Sequence, residues 1–221
     1  SSFVIKNEIE VIPNFVDLKL YEDNGPCLKS QLAPNGEKVI THISNMRGVK
    51  RIPDIIEIFF RVQQKEDAIL LMIGEGPERE KAEQQAKDLG IFSKVRFLGK
   101  TTEIRRLLWM SDLFLLTSST ERFGLVALGA MAAKVPVVSS NAGGISEVNV
   151  HGVTGFLATI GDVETMAEHS LTLLQNPALH EEFKINAYKR AQEFSIEAIL
   201  PKYEEVYERA LATIREGKEN N

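Results

Sequence analysis

Disulfide chemistry is closed to this sequence, because Cys27 is its only cysteine. That excludes the small secreted scaffolds that depend on cross-links and fits a reducing, cytoplasmic setting. Histidine is also scarce: His42, His151, His169 and His180 are widely spaced, with no HExxH and no Cys–His pairing. No metal or other cofactor is therefore required by any visible motif. Ser118 and Ser119 lack the GxSxG setting of a hydrolase nucleophile. No apolar run approaches the roughly 20 residues that span a bilayer, and no signal-peptide pattern opens the sequence. With 26 Lys and Arg against 31 Asp and Glu, the net charge of -5 argues against nonspecific nucleic-acid binding.

What is present is an alternation of short apolar runs and helical periodicities, beginning at Lys38. Strands are expected at 39–43, 68–73, 94–98, 113–116 and 136–138, and helices at 52–61, 77–89, 102–110, 124–133, 163–174, 178–194 and 196–214. The nearly all-apolar Leu113–Leu116 run suits a strand covered on both faces. The expected class is α/β, a Rossmann-like parallel sheet flanked by helices. Before it, Glu10–Asn14 reads as a short strand, and the stretch through Asp23–Pro26 and Ala33–Gly36 as irregular. The opening residues lack an initiating Met and read as a junction, so residues 1–36 are assigned to a connection and 37–221 to the domain proper. Lys218–Asn221 reads as a frayed tail.

Parallel strands present their ligand at their carboxyl ends. Those ends lead to Ser44–Arg51, Gly74–Pro77, Leu98–Gly99, Thr117–Glu121 and Ser139–Glu147, which converge on one candidate crevice. Arg47, Lys50 and Arg51 form a basic cluster that reads either as a solvated helix start or as a diphosphate site. Gly124 permits close backbone approach, so the N–H groups of Gly124, Leu125 and Val126 can face phosphate oxygens. Glu121 reads either as a surface or capping carboxylate or as an acceptor for sugar hydroxyls, and Phe123 and Leu125 as core or site wall. Gly74-Glu-Gly76 and Asn141-Ala-Gly-Gly144 are tight turns or close-approach walls; neither is a GxGxxG or Walker sequence. His42 reads as a packed or site-lining residue rather than a general base.

Taken in order, Ile12-Pro-Asn-Phe-Val-Asp17, Gly74-Glu-Gly-Pro77, Val95-Arg-Phe-Leu-Gly99, Glu121-Arg-Phe-Gly-Leu-Val-Ala-Leu128, Pro136-Val-Val138, Gly143-Gly-Ile-Ser-Glu147 and Gly152-Val-Thr-Gly-Phe-Leu157 cover nearly the whole chain. Together they resemble the retaining glycosyltransferases of family 4, which have the two-domain GT-B fold. The resemblance implies the C-terminal half of that fold, a nucleotide-sugar donor domain with C-terminal helices, the N-terminal acceptor domain being absent. Residues 1–36 become the interdomain connection. His42–Arg51, Phe97–Lys100 and Ser111-Asp112 resemble the branch of the family that serves bacillithiol biosynthesis. That branch implies UDP-N-acetylglucosamine as donor, L-malate as acceptor and a same-face internal-return mechanism.

Carried onto this sequence, the resemblance makes Lys50 the phosphate-binding lysine and Glu121 the first carboxylate of the family's Glu-x7-Glu pattern, the two residues expected in catalysis. Phe123, Gly124 and Leu125 would supply the diphosphate and sugar surface, Gly74 another wall, and Phe97, Leu98 and Lys100 the base side. Four positions depart: Ala133 and Lys134 stand where the segment commonly ends in Cys-Gly, and two others concern donor contacts. Asn45 stands where many members have a second cation, leaving Arg47 or Arg51 to compensate, and Gly129 stands where the second carboxylate binds ribose. An uncompensated loss of that contact costs roughly 1.5–3 kcal/mol of donor affinity. These departures keep two alternatives open: a family 4 transferase with another sugar or acceptor, and a UDP-sugar-binding or oligomerisation module without catalysis. A homo-oligomer is left open as well.

Overall fold

The structure is a computed structural model that describes residues 10–22 and 29–219; Cys27 and the Asp23–Pro26 turn lie outside the described residues. Six strands, β1 Lys38–Ile43, β2 Ala68–Ile73, β3 Val95–Gly99, β4 Leu113–Leu116, β5 Val137–Ser140 and β6 Gly155–Ala158, form one sheet in the order β3-β2-β1-β4-β5-β6. Every pairing is parallel. The chain thus winds outward from β1 to one edge, returns, and builds the other half from β4. Between β1 and β4 lies the topological switch point, where doubly wound sheets open a ligand crevice.

Among the described residues eight α-helices surround the sheet: α1 Lys29–Leu32, α2 Ile52–Gln63, α3 Arg79–Asp88, α4 Ile104–Trp109, α5 Leu125–Ala132, α6 Val163–Leu174, α7 Pro177–Glu193 and α8 Ile196–Glu219. Alternation along β2 explains how they attach. Ala68, Leu70 and Met72 pack with Ile52, Ile55, Phe59, Ala82 and Met166 on one face. Ile69, Leu71 and Ile73 pack with Leu108, Leu128, Met131 and Ala187 on the other. A strand apolar at every position is the consequence of two covered faces. Among the described residues no helix is long and apolar enough to cross a membrane.

The expected α/β architecture is the one observed, with three local corrections. Glu10–Asn14 is not a strand: Val11 is 81% exposed, and among the described residues the only pairing nearby is a single bridge from Val16 to Ser195. Pro77 sits in the turn before α3 instead of its first helical turn. Gly155–Ala158, read from sequence only as part of a motif, is the edge strand β6. It is held by the buried Asn149, whose amide donates to the carbonyls of Val137 and Phe156 at 3.2 Å each and to Ser139 Oγ at 3.0 Å.

Candidate functional site

At the switch point, two loops are tied together before any side chain reaches the crevice. The 3-10 turn Gly48–Lys50 follows β1, and Thr117, at the end of β4, donates its hydroxyl to the Lys50 carbonyl at 2.8 Å. The Ser119 amide donates to the Val49 carbonyl at 2.9 Å. These bonds bring Lys50 Nζ to 2.7 Å from Glu121 Oε2, an ion pair whose side chains are only 19% and 18% exposed. The two residues expected in catalysis are therefore neighbours, although 71 positions separate them.

Glu121 is fixed from behind. The Gly144 amide donates to the Glu121 carbonyl at 2.9 Å. A Cβ on Gly143, whose φ is +58°, would lie 2.0 Å from that same oxygen. On Gly144 it would lie 2.1 Å from the Arg122 carbonyl. The same device operates across the crevice, where a Cβ on Gly74 would lie 1.9 Å from the Ser44 carbonyl and one on Gly76 2.0 Å from the Asn45 carbonyl. In both places the glycines let one loop lie against the backbone of the next.

α5 completes the arrangement. Gly124 takes a left-handed φ of 89° at its N-cap, with no side chain capping the helix start. Leu125 and Val126 are exposed while Gly124 and Ala127 are buried, so the first turn of α5 reaches the surface. Uncapped N–H groups and the helix dipole favour an anion here. Phe123 turns inward, edge-on to Phe194 at 5.4 Å between ring centroids, which leaves only its backbone at the site.

The basic cluster divides. Arg51 pairs with Asp54 at 2.6 Å and lies against Gly161, on the side of the β6–α6 loop. Arg47 is exposed and pairs with no carboxylate among the described residues. Asn45 is exposed on the turn after β1. At the end of β3, Leu98 and Lys100 are exposed, whereas Phe97 is half-buried beneath Arg79 and stacked on Phe92. Ser111-Asp112 belongs to the opposite edge of the sheet, where Asp112 accepts from Lys29 and from the Val39 amide. His151 and His169 meet at 5.6 Å on a separate open cavity of about 620 Å³ beside Asp162. No group of three or more metal-capable side chains occurs among the described residues.

Two features escaped the sequence. Gly129 is buried, and a Cβ there would lie 2.9 Å from the hydroxyl of Tyr21, so that tyrosine fills the space a side chain would take. His42, fully buried on β1, bonds through Nδ1 to the Leu115 carbonyl at 2.9 Å and through Nε2 to Ser44 Oγ at 2.7 Å. Burial pulls its pKa down to about 4; the Leu115 bond opposes that and the nearby Lys50 charge adds to it. A histidine that is neutral when folded but takes up a proton near pH 6.5 when unfolded binds more protons in the unfolded state. Stability is therefore expected to fall as the pH drops from about 6.5 to about 4, by up to about 3 kcal/mol from this group. Urea melts of wild type and His42→Asn across that range check the effect, which the variant should lack.

A switch-point crevice with a cation, a carboxylate and an open helix start defines an α/β domain suited to a phosphorylated, hydroxylated ligand. Its sheet and helices have the architecture of the C-terminal domain of GT-B proteins. The chain belongs to the family described as glycosyl transferases group 1, which residues 28–190 match. It is 39% identical over 214 residues to the N-acetyl-alpha-D-glucosaminyl L-malate synthase of Bacillus anthracis, a match covering 96% of this chain and 56% of that protein. The crystal structure of Anabaena HepE in complex with UDP and glucose superposes with a TM-score of 0.81 at 30% identity, covering 90% of this chain and 57% of that one. The C-terminal domain of a glycosyl transferase group 1 protein from Francisella tularensis, solved alone, matches with a TM-score of 0.72 at 25% identity, covering 82% of this chain and 99% of that one. The chain thus spans a little over half the length of the Bacillus and Anabaena proteins.

Proposed function

We propose that this chain binds a UDP-sugar and forms the donor half of a retaining hexosyltransferase that moves N-acetylglucosamine from UDP to L-malate. The observation that carries the reading is the Lys50–Glu121 pair beside the uncapped start of α5. Lys50 and the first-turn amides stabilise the charge that grows on the departing diphosphate. Glu121 accepts from the hydroxyls of the transferred sugar, which breaks its bond to Lys50 as the phosphates arrive. Leu98 and Lys100 border the base, and Arg47 supplies the second positive charge that Asn45 does not. Retention follows from attack on the face that the diphosphate leaves, as the family resemblance implies. Closure of an acceptor domain over the crevice excludes water. The similarity to the Bacillus protein supports donor and acceptor, and the UDP complex of the Anabaena protein supports the nucleotide.

The test is mass-spectrometric product analysis of the full-length protein with UDP-N-acetylglucosamine and malate. The reading expects N-acetylglucosaminyl malate. A different product from a panel of sugars and acceptors selects another family member's reaction, and UDP-sugar binding without any product selects a noncatalytic module. Glu121→Gln separates the two roles of the pair. It should hold UDP at least as tightly as wild type while losing about tenfold in the preference for UDP-sugar over UDP; calorimetry with both ligands reads this.

Gly129 favours a second reading in which the ribose carboxylate is absent and Tyr21 fills its place. Gly129→Glu alone should leave UDP affinity within about threefold, because Tyr21 occupies the space. Combined with Tyr21→Ala it should tighten UDP by about tenfold, the worth of one charge-assisted bond. Equal effects with and without Tyr21 contradict this.

A further inference from the structure

The ladder between β1 and β4 runs only through Ile40–Leu113 and Thr41–Phe114. One residue further on, the strands are joined by a side chain instead, the His42 imidazole on the Leu115 carbonyl. A carbonyl only accepts, so Nδ1 carries the proton and Nε2 is the acceptor. Ser44 must then donate its hydroxyl to Nε2, which turns the Oγ lone pairs towards the Met46 amide, 3.1 Å away. Met46 is buried with a left-handed φ of 38°, a conformation unfavourable for a side chain of its kind. The turn is further closed by the Ser44 amide on the Ile73 carbonyl at 3.0 Å and the Glu78 amide on the Met46 carbonyl at 3.0 Å. Asn45 is the exposed residue at its apex.

We propose that His42 is a positioning residue for the donor diphosphate, acting through Ser44 to hold the Ser44–Met46 turn so that Asn45 faces the crevice. This rests on the reading of the crevice as a diphosphate site. A fully buried position between β2 and β4 is filled at least cost by an aliphatic residue, and an unpaired polar group there is penalised. An imidazole satisfies the Leu115 carbonyl and directs a hydroxyl at the same time, which no aliphatic residue does. It also adds no positive charge beside Lys50, so the crevice cation is not opposed.

Two substitutions divide the imidazole's functions. In His42→Asn the amide occupies the place of Nδ1, keeping the Leu115 bond and releasing Ser44. In His42→Gln the amide reaches the place of Nε2, keeping an acceptor for Ser44 and releasing Leu115. Calorimetric titration of the 221-residue chain with UDP should give affinity five- to tenfold weaker for His42→Asn with little loss of melting temperature. His42→Gln should stay within about threefold of wild type while melting lower. Ser44→Ala should match His42→Asn and not add to it in the double variant. Amide exchange at Met46 and Glu78 should accelerate in His42→Asn and Ser44→Ala alone. Affinities that track melting temperature across all variants, or unchanged exchange at Met46, overturn the proposal and leave His42 a strand staple. A wild-type chain that does not bind UDP removes the diphosphate reading itself, whatever the exchange rates show.

Discussion

Lys50→Ala is expected to weaken UDP binding by about 10- to 100-fold and to lower turnover of the full-length enzyme by about 10²- to 10³-fold. The first figure is the worth of one charge-assisted hydrogen bond to phosphate. The second is larger because charge on the departing diphosphate peaks in the transition state, where a preorganised donor counts most. The lysine is preorganised here: its backbone is held by Thr117 and its ammonium by Glu121 in a site less than one-fifth exposed. Removing it also leaves Glu121 partly buried without its cation, a cost to folding of about 1–3 kcal/mol. The kinetic and thermodynamic effects are separable, since calorimetry and single-turnover kinetics are read on protein that circular dichroism shows to be folded. A kcat within a fewfold of wild type contradicts the assigned role.

Gly143→Ala is expected to cost about 2–6 kcal/mol of stability or to displace the Glu121 loop, with loss of UDP-sugar recognition in either case. The added methyl would lie 2.0 Å from a backbone oxygen, which cannot swing aside as a side chain does. Overpacking of this kind costs about 1–3 kcal/mol and the positive φ another 1–3 kcal/mol. Gly152→Ala is the matched control, because Gly152 has a φ of +76° with nothing within 4 Å of its Cβ position. It should lose only the conformational part, about 1–3 kcal/mol. Urea unfolding of both variants decides: equal losses mean that loop–loop approach at Gly143 carries no energy of its own.

The sheet was largely legible because its strands are buried on two faces, and burial writes itself into a continuous apolar run such as Ala68–Ile73. Just past α3, Gly90 takes a φ of +72°, a left-handed stop close to the expected helix end at residue 89. β6 was not legible: its four residues are held at the edge by Asn149 and by Gly155, whose Cβ would meet the Val137 carbonyl at 1.9 Å, and neither contact leaves a periodicity. Of the candidate site, the convergence of the loops after the strands was legible, since a parallel sheet gathers its strand ends on one edge. The resemblance singles out Lys50, but why Arg51 turns away from Glu121 needs the backbone. Lys50 and Arg51 are adjacent, yet a left-handed φ of 49° at Arg51 sends its guanidinium to Asp54. His42 was seen as packed, but its bonds to Leu115 and Ser44 depend on where β1 and β4 part. Gly129 was read as a missing group, and its filling by Tyr21, from a segment that looked irregular, needed the tertiary structure.

A switch-point crevice that binds a nucleotide through its diphosphate must distinguish UDP from uridine. Calorimetric titration of the 221-residue chain with UDP and with uridine, for wild type and Lys50→Ala, tests it most directly. Wild type is expected to prefer UDP over uridine by at least tenfold, and Lys50→Ala to erase most of that preference while leaving uridine binding unchanged. Equal affinity of wild type for UDP and uridine, or a UDP preference untouched by Lys50→Ala, would contradict it.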